Sequence, residues 1–595
     1  MSKKLAHSFH IPVMGLGFTI DTPLKVAHLG ISSVISIMDD HLVEEMREVH
    51  SKANGRNFMP IFKTASDYRA KRIQAYLNLV NELVNEKIDA MRLQTWEEGT
   101  DLHRYFDLLP ETSTLKQAYL SWLLTKEESV ENYLRESIIP GSIDVNIMSK
   151  VNKTNYNKEG EALEKEYADA LSALRGYALS DLKSSVIFSA GYNPLLYSYI
   201  EQFDDFFPNE QGELKKQIIL KVSDFRSALT QGKLLAKKGL WISEFRIESG
   251  LNCGGHAFAT DGLLLGPILE EFKNSREVMK QELFDMCQKV LTEKGGINYA
   301  ELPEMRITVQ GGIGTSEENE FLLEHYQTQG TGWGSPFLLV PEATNVDEAT
   351  LTALATAEES DYYMSHASPL GVPFNNFRKS SSEKQRLERI EKGRPGSPCN
   401  LEYLSTNTEF TQKPICTASR QYQHAKIKEL EAQNLPKNEF QKIFDKITEK
   451  ACLCTGLGTS VLKNHGIKPK HHLNSIAICP GPNLAYFSGV YSLKEMVDHI
   501  YGRINILNTQ DRPNLFVKEL GLYVDYLKNE LAESIENMNV KQERYLKTFK
   551  QNLLAGVEYY KALQVPNWKN MLPDLKQMEK RIEDLIIPSL ERNLA

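Results

Sequence analysis

Short apolar runs bounded by glycine, proline or polar residues alternate with stretches of helical periodicity through the first 345 residues. Ile11 to Gly17 (IPVMGLG) predicts a buried first strand. Thr22-Pro23 opens a helix that Gly30 closes, and Ser33 to Met38 predicts a second strand. A strand, a tight helix and a strand in so few residues make a βαβ unit, hence parallel pairing. Asp39 and Asp40 follow that second strand directly. The rhythm then pauses. Asp67 to Arg92 and Thr114 to Glu136 have helical periodicity and dense charge, which predicts a helical insertion at about 64–140, placed over the barrel mouth. Strands resume at Ile143 to Val151, Ser185 to Ser189, Gln217 to Val222 and Trp241 to Glu248, with helical stretches between them. Arg306 to Gln310 predicts the seventh strand and the apolar run Phe337 to Val340 the eighth. Eight strands mostly separated by helices fit a closed (β/α)8 barrel of the α/β class better than an open doubly wound sheet.

Beyond Val340 the pattern changes. Residues 346–420 form a region of polar loop and linker, including Ser365 to Ser381 and the turn-rich KGRPGSP at Lys392 to Pro398. Residues 421–595 read as a mostly α-helical C-terminal domain, with long amphipathic runs such as Leu515 to Leu563. Those helices would suit packing on the barrel, a coiled hairpin or the face of a homodimer.

Composition narrows the function. Hydrophobic residues make up 41% of the 595-residue chain and charged residues 25%, ordinary values for a globular protein. A net charge of -9 and a pI near 6.0 argue against generic nucleic-acid or anionic-membrane partners. No apolar run reaches transmembrane length, and the start (MSKKLAHSFHIPVMGLGF) lacks a continuous signal-peptide core. The expectation is a cytoplasmic protein that acts on a small molecule, and in that compartment seven cysteines are thiols or metal ligands rather than disulfides.

The densest candidate chemistry lies between Arg306 and Pro341. Gly311-Gly312-Ile313-Gly314-Thr315 ends one strand, and Gly330-Thr331-Gly332-Trp333-Gly334-Ser335 forms a second glycine-rich turn. Glycines let backbone N–H groups approach a ligand, helix starts attract phosphate, and the loops after strands seven and eight of such barrels often form a phosphate site. The sixth strand ends in FRIESGLNCGGHAFATDG, which carries Glu248, Cys253 and His256 to the carboxyl end of the barrel, with Gly254 and Gly255 keeping the backbone close. A histidine there can move protons near neutral pH, and a cysteine of lowered pKa can be a nucleophile.

Pro12-Val13-Met14-Gly15 with Thr22-Pro23-Leu24, then Gly254-Gly255-His256, Gly311-Gly312-Ile313 and Gly330-Thr331, resemble in order and spacing the motifs of nitronate monooxygenase and related 2-nitropropane dioxygenase-type barrels. The resemblance spans roughly residues 8 to 345. It implies FMN, with Gly312, Gly314, Gly332, Gly334 and Ser335 on its phosphate, Met14 and Gly15 near the isoalloxazine, and His256 as catalytic base. Gly311 and Thr315 border the first phosphate loop and Trp333 the second. Lys150 or Lys221, at strand ends, would place a cation beside the flavin. The chain departs from that family in its helical insertion, its longer strand-eight loop with Trp333 and Pro336, and everything after residue 345. The expected activity is therefore an FMN-dependent oxidation or reduction of a small organic substrate. The alternatives are an enoyl-thioester reductase on the same flavin barrel and a flavin-free barrel acting as a binding or scaffold protein. A weaker resemblance is to inosine-monophosphate dehydrogenase-type barrels, which place a nucleophilic cysteine in the strand-six loop, where Cys253 stands.

Five of the seven cysteines fall between 399 and 479, in GSPC, PICTASR, ACLCTGLG and AICPGPN. Thiolates so gathered can hold an iron–sulfur cluster, and a cysteine followed by proline often borders such ligation. The expected ligands are Cys416, Cys452, Cys454 and Cys479. Ser368, Asn375, Asn376 and Arg378 are lesser candidates in the loop after the barrel, Arg378 as a clamp for an anionic substrate. His471-His472, with Lys468 and Lys470, reads as a solvated patch.

Overall fold

The computed structural model describes every residue except 1–4, 158, 190, 253–260, 510, 535–537, 564, 566–570 and 589–595. The first 332 residues close a parallel barrel of eight strands in sequential order: β1 (Phe9–Ile11), β2 (Ser32–Ser36), β3 (Ile143–Met148), β4 (Ser184–Ser189), β5 (Lys216–Val222), β6 (Glu244–Glu248), β7 (Arg306–Gln310) and β8 (Gly330–Gly332). The seam is β1 on β8, with Phe9 opposite Thr331 and His10 opposite Gly332.

Two strand expectations shift. Pro12 has no N–H for a ladder, so β1 stops at Ile11 and the residues after it form the mouth loop instead. The eighth strand is Gly330–Gly332, whereas Phe337 to Val340 lies mostly in a 3-10 helix, Ser335–Leu339. Position 332 must be glycine because a Cβ there would stand 2.6 Å from Gln310 Cβ and 2.9 Å from His10 Nε2.

Alternate residues of each strand point inward. They stack in layers. Glu244, Arg246, Asp144 and Thr308 fill the lower half, and Val13, Val34, Ile187 and Ile219 form a small apolar plug. Ser36, Glu248 and Gln310 end their strands at the carboxyl face, and Asn146 and Lys221 lie within two residues of the ends of theirs.

The helices between β2 and β3 begin with Asp40–Ala53 and Tyr68–Arg92, which pack on each other and, through the second, on the helix Asp169–Ala178. The rest of the insertion, Asp101–Leu108, Thr114–Thr125 and Glu128–Glu136, has its own apolar cluster of Leu102, Tyr105, Phe106, Tyr119, Trp122 and Leu134. It does not cap the mouth. Tyr105 touches Gly30 and hydrogen-bonds Ile139 O at 3.2 Å, and Asp101 lies 3.4 Å from His28. These partners precede β2 and β3, so the insertion sits at the amino end of the barrel.

The C-terminal half covers the mouth instead. Leu457 O accepts from Leu16 N–H at 3.3 Å and Gly17 N–H at 2.9 Å. An antiparallel pair, β9 (Tyr362–Ser365) and β10 (Phe374–Phe377), brings Asn375 Nδ2 to 3.2 Å from Asn252 O. The helix Leu493–Ile500 lies on the barrel wall, where His499 meets Gly314 O at 2.9 Å and the neighbouring Tyr501 packs on Phe9. Among the described residues no helix is long and apolar enough to cross a membrane.

His472 is buried, not solvated. Its Nε2 lies 2.7 Å from Asp39 and ties the C-terminal half to the end of β2. Tyr403 OH joins the same place, donating to Asp39 at 3.1 Å, and Arg69 and Arg72 hold Asp40 at 2.6 and 2.8 Å. Burial opposes the charge on His472, but Asp39 outweighs it and raises the imidazole above 6.5. Burial likewise opposes ionisation of Asp39, and His472 outweighs it and holds the carboxyl below 3.8. The histidine's contribution is complete below 6.5 and lost as pH rises through its raised folded value; the carboxylate's is present above 3.8 and lost as pH falls. His472→Gln is therefore expected to lose roughly 1.5–3 kcal/mol. The gap between wild type and variant in urea melts should be widest near pH 5 to 6 and shrink toward pH 9. A gap that does not vary with pH would remove the ion pair from this account.

Candidate active site

Three neighbouring strands end in one polar cluster. Lys221 Nζ (β5) lies 2.7 Å from Glu248 Oε1 (β6), and Gln310 Nε2 (β7) donates to the same oxygen at 2.9 Å. Asn252 Nδ2 donates there too. Gln310 Nε2 also reaches Asn252 Oδ1 at 3.3 Å, and Gln310 Oε1 meets His10 Nε2 at 3.4 Å. Burial, then the field of Arg246, drives the His10 pKa well below 6.5, so His10 is neutral and serves Gln310 as a donor. Glu248 thus has its Oε1 held by three side chains, in the position of an anchor for Lys221.

Opposite them, Ser36 and Asn146 are register partners on β2 and β3. Ser36 Oγ and Asn146 Oδ1 are both buried and lack a hydrogen-bond partner among the described residues. A buried polar atom left unmatched costs about 1–3 kcal/mol, and here two stand on register partners toward the carboxyl end of the barrel.

The predicted site residues separate on this frame. Lys221 and Glu248 meet inside the mouth, whereas Lys150 is exposed, with its side chain beside Gly191. Cys253, Gly254, Gly255 and His256 lie outside the described residues. The anchors of their loop are described. Glu519, buried on the helix Leu515–Ser534, accepts from Ser249 Oγ at 2.7 Å and Gly250 N–H at 3.1 Å, and its other oxygen accepts from Leu265 N–H at 2.8 Å. One carboxylate from the C-terminal half therefore joins the two ends of the strand-six loop.

Met14 and Gly15 lie in the loop after β1, where Met14 N–H donates to Thr19 Oγ1 at 3.2 Å and a Cβ on Gly15 would meet the Phe18 ring at 2.8 Å. Gly311 and Gly312 have positive φ (108° and 80°), and a Cβ on either would run into Asn252 or Leu251. Gly314 is close to other groups of the chain. Its N–H donates to Glu318 at 2.9 Å, and a Cβ on it would stand 2.6 Å from the Arg512 guanidinium. Arg512 is held in turn by Glu318 at 2.7 Å, Asn483 at 2.7 Å and Gly312 O at 2.7 Å. Thr315 caps the following helix, Ser316–Glu324. In the second loop Trp333 is buried against His499, and Ser335 Oγ accepts from Gly481 N–H at 2.7 Å. Glu318 and Gly481 thus already engage Gly314 N–H and the Ser335 hydroxyl.

Sequence reading missed His10, Ser36, Asn146, Asn252 and Gln310. Strand parity would have found four of them, since His10, Ser36, Asn146 and Gln310 share the inward phase of Lys221 and Glu248. Of the lesser candidates, Asn375 reaches the mouth, whereas Arg378 is exposed and stacks 4.1 Å from the Tyr363 ring centre.

Cys416, Cys452 and Cys454 are buried free thiols and Cys399 a partly buried one, and Cys452 Sγ lies 3.2 Å from Thr455 Oγ1. Cys479 sits two residues before Gly481, on the side of the β8 loop.

No protein-family model matches the chain and no curated protein does. Among solved structures, it has a likeness to the enoyl reductase domain of MlnA from the macrolactin biosynthesis cluster of Bacillus amyloliquefaciens, at 14% identity over 68% of this chain and 88% of that one, with a TM-score of 0.31. A second is an IMP dehydrogenase/GMP reductase-like protein from Corynebacterium glutamicum, at 12% identity over 56% of this chain and 65% of that one, just under two thirds of its length, with a TM-score of 0.23. Likenesses this distant bear on no residue's role; the barrel stands on its own closed strand order.

Proposed function

We propose that the chain is an FMN-dependent oxidoreductase acting on a small organic substrate at the carboxyl end of the barrel. The observation that carries this reading is the mouth itself, where Lys221 is held by Glu248 opposite the orphaned Ser36 Oγ and Asn146 Oδ1. A heterocycle rich in donors and acceptors fits those unmatched atoms, and a cation beside it fits an anion formed on reduction. Ser36, Asn146 and Lys221 would line the ring system together with the Met14–Gly15 loop. Gly311, Gly312, Gly332 and Gly334 would hold the phosphate. Bound FMN supplies the acceptance and donation of electrons. Glu248, Gln310 and Asn252 orient Lys221, and the helical cover restricts water. His256, by the family resemblance, moves the substrate proton.

Anaerobic purification, an absorbance spectrum and heat release of the chromophore test this directly, with stoichiometric FMN expected. Lys221→Met is then expected to keep the flavin but lower its reduction potential, because the anionic reduced form loses its countercharge. Colourless protein that takes up no added FMN would sink the proposal and favour a flavin-free binding role. An unchanged potential in the Lys221 variant would remove that lysine from the site.

A further inference from the structure

Asp21, His50 and His465 bring three metal-ligating atoms within 4.8 Å of one another, the one such set among the described residues. They come from three parts of the chain. Asp21 stands before the helix Thr22–Val26, His50 lies in the last turn of the helix Asp40–Ala53, and His465 ends the helix Thr459–Asn464 of the C-terminal half. His50 Nε2 lies 3.3 Å from Asp21 Oδ2, and His465 Nε2 lies 3.6 Å from the same oxygen. The two rings meet edge to face, with their centres 5.8 Å apart.

Three features set this cluster apart from a set of hydrogen bonds. Charge-assisted N–H···O bonds measure about 2.7–2.9 Å, and both separations exceed that. His50 Nε2 is enclosed, yet it has no hydrogen-bond partner among the described residues. Asp21 holds the N-cap position, where an aspartate ordinarily accepts from the N–H groups of the first turn, but its side chain makes no such bond. The carboxylate is turned toward the histidines instead, and its surroundings hold it there. Its Oδ1 accepts from Asn345 Nδ2 and lies 3.6 Å from Lys25 Nζ, and Lys25 donates to Asn345 Oδ1 at 2.8 Å. That leaves Oδ2, on a side chain only 2% exposed, facing two ring nitrogens. The helix that carries His465 is fixed as well. Asp347 N–H donates to Ser460 Oγ at 2.8 Å, and Asn464 Nδ2 donates to Val346 O at 3.2 Å.

We propose that Asp21, His50 and His465 bind a zinc ion. Zinc–nitrogen and zinc–oxygen bonds of about 2.0–2.1 Å at tetrahedral angles set neighbouring ligand atoms about 3.3–3.4 Å apart, close to both distances here. An octahedral magnesium ion with bonds of about the same length would draw them to about 2.9 Å. The ligand types agree, since imidazole nitrogen suits zinc and an all-oxygen shell suits magnesium or calcium. Asn345 and Lys25 orient the carboxylate from behind, as outer partners of a metal ligand do. Three protein ligands leave a fourth position, which the exposed His465 opens to water. The ion joins the loop after β1, the helix after β2 and the C-terminal half, so it clasps the cover to the flank of the barrel. Zinc takes neutral imidazole, so a proton held on either ligating nitrogen leaves on binding.

The test does not depend on flavin. Full-length protein is stripped with a chelator, dialysed and titrated with zinc chloride, and the bound metal is counted after gel filtration. One zinc per chain is expected, with a rise in melting temperature on binding. Cobalt(II) in its place should give the intense visible bands of a tetrahedral ion without sulfur-to-cobalt charge transfer, which separates this site from the cysteines. His465→Ala changes an exposed side chain, so it should keep the circular dichroism of wild type, yet bind zinc about a hundredfold or more weakly and lose the thermal gain. Cys452→Ser should bind zinc as wild type does. A wild-type protein that takes up no zinc would overturn the proposal. So would sulfur charge transfer or the weak bands of an octahedral ion in the cobalt spectrum, or a His465→Ala protein that keeps its zinc.

Discussion

Replacing Arg246 by methionine is expected to remove about 3–5 kcal/mol of stability at neutral pH. Arg246 is buried inside the barrel, 2.8 Å from Glu244 and 3.5 Å from Asp144. Burial opposes ionisation of Glu244, but Arg246 and then Arg306 outweigh it and hold the carboxyl down to about 2. For Asp144 burial wins, and its pKa stays raised even with Arg246 beside it. Without the guanidinium both carboxyls move up. An acid whose folded pKa exceeds its unfolded value takes up protons on folding, so the variant should regain stability as pH falls. Urea melts at pH 5 and pH 8 read this directly, with the larger loss at pH 8. Arg306→Met provides the control: its side chain is 27% exposed and its 3.3 Å bridge to Glu244 is secondary, so it should cost far less. A loss below about 1 kcal/mol for Arg246→Met at pH 8 would show that the charged layer is dispensable.

Glu519→Gln is expected to loosen the strand-six loop at both anchors. In wild type two carboxylate oxygens serve three donors, Ser249 Oγ, Gly250 N–H and Leu265 N–H. Glutamine keeps one oxygen and turns an NH2 toward a donor, whichever way it is set. A lost pairing of this kind costs about 2 kcal/mol, roughly thirtyfold in a local opening equilibrium. Amide hydrogen exchange should therefore accelerate by about that factor at 248–252 and 262–266 while the strands β2 to β4 keep their protection. Burial raises the Glu519 carboxyl above its ordinary 4.5, with the three donors opposing, so the comparison belongs at pH 8, on the side that favours the ionised clamp. Unchanged exchange at both anchors would refute the clamp.

The barrel was legible because its signal is local. Apolar runs such as VIFS and IILKV are buried on both faces, and they stand out at any register. β8 was not, because Gly-Thr-Gly has no apolar side chain to show; Gly332 answers to His10 and Gln310 on the neighbouring strands β1 and β7. The site was half legible. Lys221 and Glu248 end apolar strands, which flags them, while Asn146 and Gln310 pass for ordinary strand ends until parity is counted. The partner of His472 was out of reach, since Asp39 lies 433 residues away along the chain. The insertion was misplaced for a similar reason: periodicity tells that helices form, and the end of the barrel they cover depends on contacts such as Tyr105 to Ile139.

The reach of Glu519 into the strand-six loop also sets an order of assembly. The eight strands leave the ribosome before that carboxylate has been made, and at about 5–20 residues per second the interval from β8 to residue 519 is on the order of ten seconds or more. Until then the two ends of the strand-six loop lack the carboxylate that joins them. The wall beside β8 likewise waits for the helix Leu493–Ile500. The nascent barrel therefore has an unfinished rim, which is completed only when nearly the whole chain is free. In this molecule the C-terminal half is the last step of building the barrel's rim rather than a module added to a finished one.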